Sequence, residues 1–377
     1  MRALLVLIDG LGDDPISQWC GRTPFEKAEH PVMDEIAAKG SFAQFSICEQ
    51  DIVPESCSCI LRLLGVDKKD MPTNRAYLEL LAHNRDISEY EMVLRCNLAV
   101  VDDAGRLAAF NGAGLDQAQM RRAAQLCDDV LKDIEFIHLS EYRNLLIMNR
   151  EQKVLDCNVR PPHESVGEDV AELLAPLRKQ SLAIDYFLKE TTKRLEPFAK
   201  KGLHYILYPW GASARQTMPS FAQLHGFYGG AVCKAEIVAG IARALGLETI
   251  VPFTATGDVD TDLAAKAQAA IELLQRNKFV LAHFNGSDEA SHRYDYQGKA
   301  DFIARIDREF LQVVADKISE PTKVVICGDH VTSSVTGRHD AGCTPVVAGY
   351  LPLGTAGKAI SLYSYGDILD FLMKESD

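Results

Sequence analysis

The sequence contains no CxxC pair, no GxxxxGKS/T phosphate loop and no apolar run near the 18 or so residues that cross a membrane. Each absence excludes something. Ten cysteines lie scattered, the closest being Cys57 and Cys59, so neither a zinc ribbon nor a dithiol redox motif is written here. Plain core thiols in a reducing, cytoplasmic setting account for them. Without the phosphate loop, any kinase activity would have to run through a different nucleophile. The chain also lacks basic excess: its formal net charge is −13, which argues against a nucleic-acid partner but not against a small anion held by local arginines or metal ions. The apolar stretch at residues 3–8 is too short for the core of a signal peptide, so no membrane partner is expected. What remains is ordinary globular composition, 47% hydrophobic and 25% charged. At 377 residues it suffices for two domains, or for one large α/β domain carrying an insertion.

Near the C-terminus the sequence runs KVVICGDHVTSSVTGRHD, residues 323–340. Four apolar residues lead straight into Gly328, Asp329 and His330. A short β-branched run bounded by turn residues predicts a buried strand of a parallel sheet, and ligands bind at the carboxyl ends of such strands. Alone, Asp329 and His330 read equally well as a helix cap and a surface histidine. The pattern recurs, however. ALLVLIDGLGDD delivers Asp9 after a strand at residues 3–8, and KFVLAHFNGSDEASH delivers Asp288 and His292 after a strand at residues 279–284. His339 follows His330 in a polar loop. Three carboxylates and three imidazoles on one sheet edge exceed what capping needs. Their mixed oxygen and nitrogen donors suit Zn²⁺ or Mn²⁺ rather than Mg²⁺ or Ca²⁺, and six ligands imply two ions rather than one.

Along the chain the first 90 residues read as α/β: a helix bearing Val32, Met33, Ile36 and Ala37 that stops at Gly40, a strand in SFAQFSICEQ, and a helix bearing Ile60, Leu61, Leu63 and Leu64 that ends at Gly65. The texture changes over residues 91–219. There MVLRCNLAVVDDAGRLAAFNG reads as strand, turn and strand, a helix is expected over 115–134, and no strand ends on a Gly-Asp pair. The doubly wound rhythm then returns over residues 220–377, with a strong helix in LAAKAQAAIELLQRN. The expected architecture is an α/β core, residues 1–90 and 220–377, interrupted by an α+β domain at 91–219.

The stretch VPESCSC places Ser56 and Ser58 at the start of a helix. The N-terminal field of a helix favours an anionic phosphoryl group, and a serine hydroxyl activated by a metal ion is a competent nucleophile. Both serines qualify by position, and an N-cap serine without chemistry fits as well.

The order Asp-Gly, Ser, Asp-x-x-x-His, Asp-His, His resembles the metal-ligand order of the alkaline phosphatase superfamily. Within it, nearly the whole chain is similar to the archaeal-type cofactor-independent phosphoglycerate mutases and their homoserine-kinase-like branch. GRTPFEKAEHPVMDEIAAKG resembles that family's GKTPLEAAxTPNLDxLAxxG, and VPESCSCILRLLGVD its PGSDxAxLSLLGYD. NRAYLELLA, LRCNLAVVD and TATGDVDTDLAAKA continue in register. The resemblance implies an alkaline-phosphatase-like core sheet with an inserted lid, and Ser56 as nucleophile. It implies one divalent ion held by Asp9, Ser56, Asp329 and His330, and a second by Asp288, His292 and His339. Arg75 falls on a family arginine near the site, and Arg143 and His163 are lid positions suited to contact with a small phosphorylated metabolite. The implied activity is interconversion of 3- and 2-phosphoglycerate through a phosphoserine, with a homoserine-kinase-like transfer or a phosphomonoester or phosphodiester hydrolysis at the same site as alternatives. The oligomeric state is not implied. The chain departs from the family where Glu55 replaces a glycine, Cys57 an acid and Ser291 a glycine, and where AAFNGAGLDQ stands in place of the arginine-rich DRRAGR. The loss of those arginines, with an acid beside the nucleophile, predicts a preference for substrates less anionic than 3-phosphoglycerate.

Overall fold

A computed structural model describes residues 1–47, 54–355 and 360–374. The chain divides into two compact units, Met1–Met71 with Met218–Asp377, and Pro72–Thr217. The strands in chain order are β1 (Arg2–Ile8), β2 (Ser41–Phe45), β3 (Glu91–Asp102), β4 (Leu107–Ala109), β5 (Ile134–Ser140), β6 (Arg143–Asn149), β7 (Leu203–Ala214), β8 (Gly229–Val232), β9 (Glu248–Ile250), β10 (Phe279–Phe284), β11 (Thr322–Cys327), β12 (Val331–Thr332), β13 (His339–Asp340) and β14 (Thr344–Leu351).

The first unit is built on a seven-stranded sheet in the order β2-β14-β11-β1-β10-β8-β9. Strands β11, β1, β10, β8 and β9 run parallel, and β14 and β2 close one side antiparallel. The continuous apolar character of β1, β10 and β11 follows from burial on both faces: every residue of β10 and β11 is buried, and Ala3 to Ile8 of β1 as well. Helices Pro31–Lys39, Leu263–Arg276 and Tyr296–Arg305 contribute to the core around Leu4, Val6, Val280, Phe284, Phe302 and Val324. Each such buried side chain contributes roughly 1.5–3 kcal/mol of hydrophobic stabilisation. Register makes these three strands the foundation of the site. Leu7 pairs with both His283 and Cys327, and Ile8 with Phe284, so the chain leaves β1, β10 and β11 at one level.

The second unit is an antiparallel sheet in which β3 pairs along its length with β7 and, on its other edge, with β6 and then β4, while β5 pairs with β6. Alternation along β3 sorts its faces. Met92, Leu94, Cys96, Leu98 and Val100 pack with Ala123, Leu174, Leu177, Phe187 and Leu188, from the helices Gln117–Cys127, Val170–Gln180 and Leu182–Leu195. Val93, with Leu145 and Ile147, packs instead with Ala76, Tyr77 and Leu80 of the helix Ala76–Ala82.

That helix corrects the expected boundary. Residues 72–90 were assigned to the core from sequence, yet the apolar face of Ala76–Ala82 is buried on β3 and β6, and the contacts put the segment in the second unit. The helix expected over 115–134 is also shorter, Gln117–Cys127. It gives way at Asp128 and at Asp129, which takes a left-handed φ of 54°, and Ile134 begins β5. The end of the strand expected in SFAQFSICEQ, residues 48–50, lies outside the described residues, as does Val53 of VPESCSC.

Candidate metal centre

Asp9 follows β1 directly, Asp288 and His292 sit on the helix Gly286–His292 that follows β10, and Asp329 and His330 follow β11. His339 opens β13, which pairs back on β12 as an antiparallel ribbon, Thr332 opposite His339. Each of these three strand ends thus brings one or two ligand groups to a single edge of the first unit's sheet.

Two sets of donors emerge. Ligand atoms of Asp9, Asp329 and His330 lie within 4.8 Å of one another, and so do those of Asp288, His330 and His339. Asp288, His292 and His339 are tighter still: His292 Nε2 lies 3.2 Å from Asp288 Oδ2, His339 Nε2 3.2 Å from Asp288 Oδ1, and the two Nε2 atoms 3.1 Å apart. Ser56 Oγ stands 3.3 Å from both Asp9 oxygens and 3.3 Å from His330 Nε2. Ser56 is the first residue of the helix Ser56–Leu63, whose N-cap is Glu55, so it is not the capping residue. Glu55 makes no side-chain capping bond and is exposed. Ser58, two residues on, has no hydrogen bond to any of these donors.

The hydrogen bonds behind the imidazoles fix their tautomers. His292 Nδ1 donates to Gly337 O at 2.9 Å and His339 Nδ1 to Pro54 O at 3.0 Å. Thr332 Oγ1 donates to Asp288 Oδ1 at 2.6 Å and accepts from His330 Nδ1 at 3.1 Å. All three rings therefore turn Nε2 towards the carboxylates. Three inward nitrogens converging with three carboxylates, mostly buried, are the donor set of a divalent transition ion, each imidazole braced from behind. Gly10 is required for the close approach: it holds φ of 62°, and a Cβ there would stand 2.5 Å from Thr332 Oγ1 and 3.0 Å from Asp288 Oδ1.

Electrostatics point the same way. Burial, and then the charges of Asp329 and Asp288, raise Asp9 well above the usual carboxylate range. Burial pushes Asp288 up too, but hydrogen bonds from His292 and His339 outweigh it and hold the carboxyl far below normal. His292, bonded to Asp288, is raised to about 9, while burial lowers His330. Negative charge is crowded here, and among the described residues the side chains hydrogen-bonded or paired to Asp9 and Asp288 are imidazoles and hydroxyls, so cations fit.

Two residues were missed from sequence. His283 belongs to none of the ligand motifs, yet its Nε2 is 3.0 Å from Asp9 Oδ2 with both side chains buried. Burial lowers its pKa to about 3, so the neutral ring donates to Asp9 and orients it. The available signal was a lone polar residue inside the apolar run FVLAHF. Lys299, fully buried, reaches Gly12 O at 3.0 Å, Asp13 Oδ2 at 2.7 Å and Thr332 O at 2.9 Å, tying the loop after β1 to β12. No sequence pattern marks it.

The tentative substrate residues lie in the second unit. Arg75 is the N-cap of Ala76–Ala82 and pairs with Glu79 at 3.2 Å. Arg143 begins β6, its Nη2 donating to Ser140 Oγ at 2.8 Å, and His163 packs edge-on to Phe110 and Trp210.

Fold and donor set together define a metalloenzyme, and comparison with known proteins agrees. Residues 1–357 match the model of the metalloenzyme superfamily. A 2,3-bisphosphoglycerate-independent phosphoglycerate mutase from Methanocaldococcus jannaschii is 30% identical over 373 residues, covering 92% of this chain and 87% of the relative. The chain belongs to the metalloenzyme superfamily and, within it, to the family of the 2,3-bisphosphoglycerate-independent phosphoglycerate mutases. Among solved structures, a protein from Pyrococcus horikoshii superposes with a TM-score of 0.76 at 24% identity, covering 98% of this chain and 92% of its own. The cofactor-independent phosphoglycerate mutase of Thermoplasma acidophilum gives a TM-score of 0.61 at 20% identity, covering 99% of both chains. These two likenesses speak for the fold.

Proposed function

We propose that this chain interconverts 3- and 2-phosphoglycerate without a bisphosphoglycerate cofactor, through a phosphoserine at Ser56. The observation that carries the reading is Ser56 Oγ at a helix start, 3.3 Å from both oxygens of Asp9 and from His330 Nε2, inside the donor set rather than beside it. Asp9, Ser56, Asp329 and His330 would hold one divalent ion, and Asp288, His292 and His339 the other, with Mn²⁺ or Zn²⁺ suited to the mixed donors. Such ions, when bound, supply positive charge for the phosphoryl oxygens and lower the pKa of a serine hydroxyl. Ser56 Oγ forms the new O–P bond as the bond to the 3-hydroxyl oxygen breaks; the serine proton is lost and the leaving oxygen gains one. The phosphoryl group then passes from Ser56 to the 2-hydroxyl, restoring the serine. The N-terminal field of the helix favours the anionic group through both transfers. Cys20, Cys96, Cys127, Cys157, Cys233, Cys327 and Cys343 are free thiols, which supports a cytoplasmic setting for this small-metabolite chemistry. Among the described residues no helix is long and apolar enough to cross a membrane.

The test supplies 3-phosphoglycerate and Mn²⁺ and follows 2-phosphoglycerate and free phosphate separately. The mutase reading expects isomerised product well ahead of phosphate. Phosphate alone would make the chain a hydrolase using the same serine, and transfer only in the presence of homoserine would favour the kinase-like branch.

A further inference from the structure

The helix Leu263–Arg276 buries Leu263, Lys266, Ala267, Ala270, Leu273 and Leu274 along one stripe. One member of that apolar stripe is charged. Lys266 is 1% exposed, its neighbours on the stripe belong to the core of the first unit, and its Nζ lies 4.9 Å from the centroid of the Phe284 ring. Among the described residues it pairs with no carboxylate, and its hydrogen bond runs from Nζ to His283 O at 2.8 Å. Lys299 is the contrast, buried as deeply but satisfied by Asp13 and two carbonyls. Burial lowers Lys266 to about 8, which still leaves it an ammonium at neutral pH. A buried charge without a counter-charge is costly, and packing alone would be served by an uncharged side chain of the same length.

The place it fills is where the sheet loses a strand. β10 pairs with β8 only as far as Ala282 opposite Val232. On the β1 side, Phe284 O accepts from Asp9 N at 2.9 Å. Carbonyls alternate sides along a parallel strand, so that of His283 faces the side that β8 has left. Lys266 Nζ takes the position of the missing backbone donor. The lysine comes from the face on which Val280, Ala282 and Phe284 pack, and the His283 ring leaves on the other. That ring bonds Asp9, Nε2 to Oδ2 at 3.0 Å, while its Nδ1 is buried and meets no partner among the described residues. With a single hydrogen bond of its own, the ring takes its place from the main chain that carries it.

We propose that Lys266 is a positioning residue for the metal centre: it satisfies the His283 carbonyl where the β8–β10 ladder ends, and so sets the ring that orients Asp9. The inference rests on the reading of Asp9 as a metal ligand and adds to it a residue outside both proposed ligand sets. An uncharged, donorless side chain at 266 would leave the His283 carbonyl buried and unsatisfied, and the end of β10 would shift to find a partner.

The full chain is labelled with ¹⁵N in its histidine rings and stripped of metal by a chelator. The Nε2 proton of His283 is identified by its absence from His283→Leu, and Zn²⁺ affinity is measured on each variant by chelator competition. Lys266→Met keeps the length and removes both charge and donor. The expected result is a His283 ring signal that moves or is lost to exchange in Lys266→Met, with Zn²⁺ held at least about tenfold more weakly. Leu273→Ala, on the same helix, should lower Tm while leaving both readouts as in the parent chain. If Lys266→Met does not fold, Lys266→Gln, a shorter and uncharged donor, is read in the same way. A parent chain without a protected Nε2 proton overturns the proposal, and so do a ring signal and affinity unchanged in the folded variant. Leu273→Ala altering both as strongly would overturn it too, making Lys266 one packing residue among others. The ring signal is read without metal, substrate or phosphoserine. Failure of the mutase reading therefore leaves it standing, and its own failure leaves the mutase test untouched.

Discussion

The two units bury charge of opposite sign, and each leaves it incompletely paired. In the first, Asp9 and Asp288 are hydrogen-bonded or paired to hydroxyls and imidazoles, with no lysine or arginine paired to either among the described residues. In the second, Arg75 and Arg95 share a single Glu79. Burial alone does not impose this, for Lys299 is buried too and pairs with Asp13 and two carbonyls. A cluster short of cations fits metal ions.

The largest effect expected is at the proposed nucleophile. Ser56→Ala should lose at least about 10³-fold in kcat, the scale on which removal of an attacking hydroxyl is felt, whereas Ser58→Ala should keep most of its activity. Mapping the phosphorylated peptide settles it: phosphate on Ser58 would show that the donor set around Ser56 is not where the chemistry runs.

Next come the groups that make the first cluster anionic. Asp288→Ala and His292→Ala should each lower bound metal together with activity, and full metal content in both would remove the second ion from the mechanism. His283 sharpens the comparison further, because it lies outside both proposed ligand sets and its Nε2 bonds Asp9. His283→Leu should weaken metal binding about 10–100-fold, as loss of a bracing hydrogen bond usually does. His225→Ala should not, since His225 Nε2 bonds only the Leu64 carbonyl. A chelator competition in which His283→Leu holds metal as tightly as the parent chain would reduce that hydrogen bond to packing.

The third effect is on stability, and its sign separates proton from metal. In the metal-free chain His292 rises from 6.5 to about 9. A raised pKa contributes stability that is complete below 6.5 and is lost as the pH climbs through 9. Asp9, raised as well, acts in the same direction. Asp288 is depressed, so its contribution disappears only on acidification. The His292 side chain is 40% exposed, so solvent screens the pair and the loss is modest, about 1–3 °C in Tm between pH 6.5 and 9. Excess Mn²⁺ should cancel or reverse the trend, because metal prefers the deprotonated ring. A flat metal-free profile over that range would mean that the Asp288–His292 pair carries no charge.

How much of this was legible in sequence follows from which forces leave a pattern. Strands β1, β10 and β11 announced themselves because burial on both faces demands unbroken apolar runs, and their Gly-Asp and Asp-His endings marked the ligand edge. Residues 72–90 were misplaced because an amphipathic helix looks the same whichever sheet it covers; only the contacts of Tyr77 and Leu80 with Val93 and Ile147 assign it. Lys299 and Arg95 were overlooked because charge in a helix or strand ordinarily faces water. Their burial depends on partners far away in sequence, Thr332 for the one and Glu79 with Trp210 for the other.

The smallest effect concerns Glu55, where the comparison can break. Read from sequence, an acid beside Ser56 should repel a highly anionic substrate by several kcal/mol, as in a desolvated contact. The side chain is exposed and makes no capping bond, so water and salt screen it. Its repulsion is then that of a surface charge, on the order of 1 kcal/mol or less, and Glu55→Gly should lower KM for 3-phosphoglycerate only by a few fold. That gain should shrink as salt is added, with kcat unchanged. Measured at low and high ionic strength, a gain of a hundredfold that ignores salt would mean Glu55 lies desolvated against the bound substrate. The first unit would then hold unpaired negative charge beyond what metal ions offset, and the reading of its cluster as an anionic site balanced by bound cations would fail at that residue.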